Sequence, residues 1–229
     1  MAPLIEVSNE VLKGLNQLKI PYNLKNKNNS QTKDLSDSIH VLSINLYVAK
    51  ERTHLGKNWY ESHKLLQEQG NRMLIIPEFI EFLKHLKNSN NQENLDIYNE
   101  ITQVKNSWRA EWLDADFKVK DKRLYINCNH ILDSKGNLIP KNSEVFDENT
   151  LIENKTPGIP LEDYLNSNHT AQGLPNKDIK SGDSYYWCPR SDNTSVALFG
   201  AYDYGVSLNC GRNPSFTLSD LGVRAVKKK

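Results

Sequence analysis

The sequence lacks most of the features that announce a function directly. It has almost no excess of charge: Lys and Arg number 29 against 28 Asp and Glu, for a net charge of +1. So small a field exerts no general pull on nucleic acid or on an anionic membrane. No apolar run approaches the roughly 20 residues that cross a bilayer, and the mean hydropathy is -0.66. The start, MAPLIEVSNE, has no basic region leading into an apolar stretch, so no secretory signal is visible and the location stays open. Cysteine is scarce. Cys128, Cys188 and Cys210 are odd in number and far apart, which is no disulfide framework and reads as reduced, buried thiols. The G-x-x-x-x-G-K-[ST], G-x-G-x-x-G and H-E-x-x-H patterns are all missing, which argues against a nucleotide fold and a zinc protease.

One further absence is local. From Cys188 to Val226 the chain uses no Lys, Glu, Gln, Met or Trp. Across the whole sequence those types number 22, 14, 7, 2 and 4 of 229 residues, so a blank of this length is not expected from composition.

What is present reads as helices first and irregular strands later, an α+β domain spanning residues 1–229. IEVSNEVLKGLNQL predicts a short strand and then a helix from about Asn9, and 25–38 is a polar, Asn/Ser/Lys-rich loop. SIHVLSINLYVA alternates imperfectly, as a strand or a helix edge does. Asn58 and Glu61 have capping-box spacing at the head of a helix that Gly70 can end. A second helix is expected from Pro77, with Phe79, Ile80, Phe82, Leu83 and Leu86 as its buried stripe. A third amphipathic segment covers 93–104. SWRAEWLDADFKVKDKRLYINCNHIL predicts two strands turning at the KDK of 120–122. Residues 134–150 have loop grammar, and PGIPLEDYL predicts one short helix.

Few side chains suggest chemistry. Cys128 and His130 are two apart and would share a strand face, but structural zinc usually takes four ligands in recognisable pairs and no second pair exists. The expectation is a core cysteine beside a surface histidine. Asp114 and Asp116 could face one way as an acid–base pair, although solvated strands look the same. His63, inside the capped helix, reads as packing or surface. The stretches SYYWCPR and WRAEW hold three of the 4 Trp and read as core sooner than as a binding surface.

Within 195–226, two classes of position interleave. Val196, Ala197, Phe199, Ala201, Leu208, Cys210 and the closing LGVRAV form an apolar framework. Between them stand Leu198, Gly200, Tyr202, Tyr204, Gly205, Ser207, Asn209, Gly211, Arg212, Asn213, Ser215, Phe216 and Thr217, which have no common chemistry. Alternation of this kind places one set inward and the other outward.

On YYWCPRSDNTSVALFGA, the interleaved tail and LGVRAV, the chain resembles the variable proteins of diversity-generating retroelements, in particular the archaeal group. The resemblance extends upstream through WRAEWLDADFKV and HKLLQEQGNRMLIIPEFIEFL. It implies that an error-prone copy of a template overwrites the variable region, with errors at adenines. Template codons such as AAC then become any codon ending in C, a set that excludes Lys, Glu, Gln, Met and Trp. The resemblance also implies a C-type lectin fold, with an irregular antiparallel sheet and loops that carry the varied side chains. Gly222 and Arg224 of the last strand would be structural. Free variation must sit on the surface, because core truncations cost roughly 2–5 kcal/mol each against a total stability of about 5–15 kcal/mol.

The expected function is therefore a non-enzymatic binding protein, a monomer without cofactor or metal, whose thirteen interleaved positions contact a protein or a surface glycan. Tyr202, Tyr204 and Phe216 would be its aromatic anchors, with Arg212 and Asn213 giving directional polar contacts. The rival expectation is an oxidoreductase resembling the formylglycine-generating enzymes, which would need paired active cysteines or a histidine-rich metal site. Nucleic acid is not expected as the ligand, since only aromatics and a KKK tail favour it.

Overall fold

Among the described residues, strands precede the helices. In the computed structural model, which describes residues 35–105 and 108–227, an antiparallel hairpin of β1 (Ser38–Val41) and β2 (Leu46–Thr53) comes first. Three helices follow: α1 (Trp59–Glu68), then β3 (Asn71–Met73), α2 (Ile76–Lys87) and α3 (Gln92–Thr102). The long hairpin β4 (Arg109–Lys120) and β5 (Arg123–Leu132) leads to β6 (Leu138–Val145), β7 (Lys155–Ile159) and the short helix α4 (Leu161–Asn166). The chain closes with β8 (Ser184–Trp187), β9 (Ser195–Ala201), β10 (Val206–Arg212) and β11 (Leu221–Lys227). The strand and helix expected before residue 25, and most of the 25–38 loop, lie outside the described residues.

Local signals explain the helices. The Asn58 side chain accepts the Glu61 N–H at 2.9 Å, and Glu61 accepts the Asn58 N–H at 3.1 Å. That reciprocal pair satisfies two donors the helix itself leaves open. Helix α2 begins one residue before Pro77, and its whole expected stripe is buried. Glu78 accepts the Ile75 N–H at 3.2 Å and holds Arg72 through two 2.6 Å contacts. The β4–β5 turn falls at Asp121 and Lys122, both with positive φ.

All eleven strands among the described residues join one sheet, whose main path runs β1-β2-β11-β4-β9-β10-β8-β7. Strand β3 adds to β11, and β5 and β6 continue from β4. The architecture is mixed α/β, and the sheet is mixed too. Strand β11 runs parallel to β4, and β10 runs parallel to β8, so the expected irregular antiparallel sheet is corrected to a mixed one. Residues 138–145 form β6, not a loop. This strand pairs along one side with β5 and is exposed at most positions, so it needs no apolar alternation.

The sheet is covered on both faces. Helices α2 and α4 pack on one side with Leu113, Phe117, Ala197 and Phe199. On the other, Trp59 of α1 closes over Trp112, Val196, Leu198, Leu221 and Val223. Strand β9 lies between β4 and β10 and is buried at all seven positions. Strand β11 is equally central. Its Arg224 is 1% exposed and holds Glu111 of β4 through contacts of 3.0 and 3.2 Å.

Candidate functional site

The exposed and half-buried members of the tail lie at both ends of the β9–β10 hairpin: Tyr202 and Tyr204 in its turn, and Arg212, Asn213, Ser215, Phe216 and Thr217 at and beyond the far end of β10. Strands β9 and β10 are joined through a tight turn in which the Tyr202 N–H donates to the Gly205 carbonyl at 2.9 Å. The Tyr202 and Tyr204 rings stack at 4.9 Å with an 11° interplanar angle. Tyr185 meets Tyr204 edge-on at 5.0 Å, and Trp108 lies 5.7 Å from Tyr202. Such geometry holds large rings in place at little further entropic cost on binding. Beside them opens a cleft of about 330 Å³, lined by Tyr202, Tyr204, Asn209, Gly211 and Arg212 of the tail, together with Asn154, Trp187, Cys188 and Arg190.

Arg212 stacks over Phe216, its guanidinium carbon 4.5 Å from the ring centroid, and its Nε is buried without a hydrogen-bond partner. Phe216 ends a turn in which Asn213 accepts the Ser215 N–H at 2.8 Å through its side chain and the Phe216 N–H at 3.0 Å through its carbonyl. The Pro214 carbonyl accepts the Trp59 N–H at 3.0 Å, which pins this turn to the start of α1. Asn213, Ser215 and Thr217 are exposed there, and Phe216 is half-buried against the second core.

Five of the thirteen expected positions are not outward. Leu198 is 0% exposed, because the face of β9 expected to meet solvent meets Trp59 and Trp112 instead. Gly200 is buried where β4 and β9 approach closely: a Cβ there would stand 2.9 Å from both the Ala110 Cβ and the Arg109 carbonyl. Gly205 is buried with φ +151°, a conformation that disfavours any side chain. Ser207 is 1% exposed, between β8 and β9. Asn209 is buried at 9%, its side chain accepting the Gly211 N–H at 3.0 Å, although it still borders the cleft. Tyr202, Tyr204, Gly211, Arg212, Asn213, Ser215, Phe216 and Thr217 keep half-buried or exposed positions.

Trp187, Cys188 and Arg190 belong to SYYWCPR, and the expectation that this stretch is core is corrected: only Ser184 and Tyr186 are buried, while these three residues line the cleft. The thiols face different surroundings. Burial pushes Cys210 far above the ordinary thiol range and raises Cys188 as well. Cys128, also raised by burial and then by Asp114, is pushed up to about 11.

A second cluster lies in the interior. His63 of α1, Asp114 of β4 and His130 of β5 are 1%, 1% and 4% exposed. The expectation of a core Cys128 beside a surface His130 is thereby reversed, since Cys128 is the partly exposed one. Positive φ at Asn129 breaks the regular strand between them. The β4–β9 register shifts between Trp112 and Asp116, so Asp114 lies in an irregular stretch where its N–H donates to the Leu74 carbonyl at 2.7 Å. Asp114 and Asp116 do not act as a pair: Asp116 contacts Asn127 and Lys118. Burial holds the His63 imidazole down at about 4, against the pull of Asp114.

Comparison with protein-family models, with curated proteins and with solved structures finds no match to this chain.

Proposed function

We propose that the chain is a ligand-binding variable protein of a diversity-generating retroelement, on a C-type lectin scaffold. It displays Tyr202, Tyr204, Gly211, Arg212, Asn213, Ser215, Phe216 and Thr217 to a protein or surface-glycan ligand. One observation carries this reading. In the stretch that lacks five residue types, the positions of mixed chemistry that reach the surface converge on one open cleft and its adjoining turn. The framework positions Ala197, Phe199, Leu208 and Cys210 of the same stretch are buried.

The chemistry suits recognition. Stacked tyrosines offer large apolar faces with polar rims, and the partly exposed guanidinium of Arg212 supplies directional hydrogen bonds. No bond-making step is assigned to the site. The rival oxidoreductase reading needs a reactive cysteine pair or a histidine-rich metal site; its cysteine form is disfavoured, since Cys210 is 0% exposed and burial raises its thiol far above the ordinary range.

The test is the neighbouring DNA. A near-identical repeat beside a reverse-transcriptase gene, with adenines at the codons for the eight surface positions, is the expected result. A repeat whose differences fall at Phe199 or Leu208 would refute the proposal.

A further inference from the structure

We propose that His63, Asp114 and His130 bind one divalent transition-metal ion, with zinc the best-matched species. The site is separate from the cleft and does not depend on the reading of the tail. Three elements bring the residues together, and one donor atom from each lies within 4.8 Å of the others. Asp114 Oδ1 is 2.5 Å from His130 Nδ1 and 3.6 Å from His63 Nε2. Donors around a tetrahedral zinc at about 2.0–2.2 Å stand roughly 3.4 Å apart, so small side-chain shifts bring this set to coordination distance.

Two features point to a ligand beyond the clustering itself. His63 is wholly interior, yet neither ring nitrogen has a hydrogen-bond partner. Buried polar groups in native proteins are overwhelmingly paired, and an orphan invites an ion or other partner. The surroundings are also built to orient the donors. The His130 N–H donates to Asp114 Oδ2 at 3.0 Å, which leaves Oδ1 toward the two imidazoles. Trp59 stands edge-on to both rings, at 4.3 Å from His63 and 5.0 Å from His130, and its Nε1 donates to the Leu113 carbonyl at 2.9 Å. One turn along α1 from His63, Gln67 clasps β5. It donates to the His130 carbonyl at 3.1 Å and accepts the Leu132 N–H at 2.7 Å.

The donor set selects the ion. Calcium and magnesium prefer oxygen-rich shells, whereas two imidazoles and one carboxylate suit zinc and its first-row neighbours. Asp114 also lines a pocket of about 120 Å³ with Cys128, Asn142 and Glu144.

The test uses the full chain, stripped with a chelator and titrated with Zn²⁺ by calorimetry, then with Co²⁺ by visible absorption. One saturating equivalent, an intense tetrahedral cobalt spectrum and a melting temperature that rises with metal are expected. His63→Leu removes a donor that makes no hydrogen bond, so it should fold and bind more than about 100-fold more weakly. In the wild-type chain, imidazole ¹⁵N shifts on adding zinc should move for His63 and His130 alone among the 6 histidines. Absence of a saturable equivalent, His63→Leu binding within threefold of wild type, or shifts at His40, His54, His85 or His169 instead would overturn the proposal.

Discussion

Glu111→Gln tests how strongly the last strand is anchored. Arg224 and Glu111 have side chains 1% and 3% exposed and meet through two hydrogen bonds, so the pair is almost fully desolvated. Arg224 also donates to the carbonyls of Ala49 and Lys50 and lies over the Phe82 ring at 5.5 Å. Removing one partner of a buried pair costs about 3–5 kcal/mol, because the remaining charge is left without compensation. Glu100 stands 3.7 Å from Arg224 and is 41% exposed, so it offsets part of the loss. The low end, about 3 kcal/mol, is therefore expected. For a chain of this size each kcal/mol lowers the melting temperature by about 2–4 °C, which gives a drop of about 6–12 °C. Scanning calorimetry or circular dichroism reads it directly. The double variant Glu111→Leu with Arg224→Met should melt above the single Glu111→Gln, since no bare charge remains. A Glu111→Gln protein melting within about 2 °C of wild type would refute the reasoning.

Other outcomes follow from burial and capping. Tyr204→Ala and Thr217→Ala should each change stability by no more than about 0.5 kcal/mol, while Leu198→Ala should cost about 2–5 kcal/mol; denaturant unfolding of the three variants checks the contrast. Asn58→Ala should cost about 1 kcal/mol through the lost cap of α1, read from the same curves. Cys188 and Cys210, both raised by burial, should alkylate in the native protein more slowly at pH 8 than a free thiol. Their reaction should speed up as pH rises further or when denaturant exposes them, and native-state labelling as fast as in denaturant would contradict the assignment.

The helices were legible because their signals are local. Asn58, Glu61, Pro77 and the Phe79–Leu86 stripe each act within a turn or two, and the structure places all of them as expected. The KDK turn was legible for the same reason. The second face of β9 was not. Alternation assigns a strand one inward and one outward side, but a sheet packed on both faces buries both. Nothing in SVALFGA states that Trp59 and Trp112, far away in sequence, will cover Leu198. Strand β6 was missed because an exposed edge strand with Pro140 carries loop-like chemistry. His63, Asp114 and His130 lie far apart in sequence, on α1, β4 and β5, and their meeting depends on three elements docking. One clue was available: His63 shares the buried face of α1 with Trp59 and Leu66.

The seven consecutive buried positions of β9 also bear on how a repertoire can be drawn from this chain. A library randomised evenly across 195–217 would lose most of its members to unfolded protein before any ligand was offered. One confined to 202, 204, 211–213 and 215–217 would keep the scaffold and concentrate its diversity where a partner can feel it. The strand inside the sheet thus sets the boundary between sequence that can be gambled with and sequence that cannot.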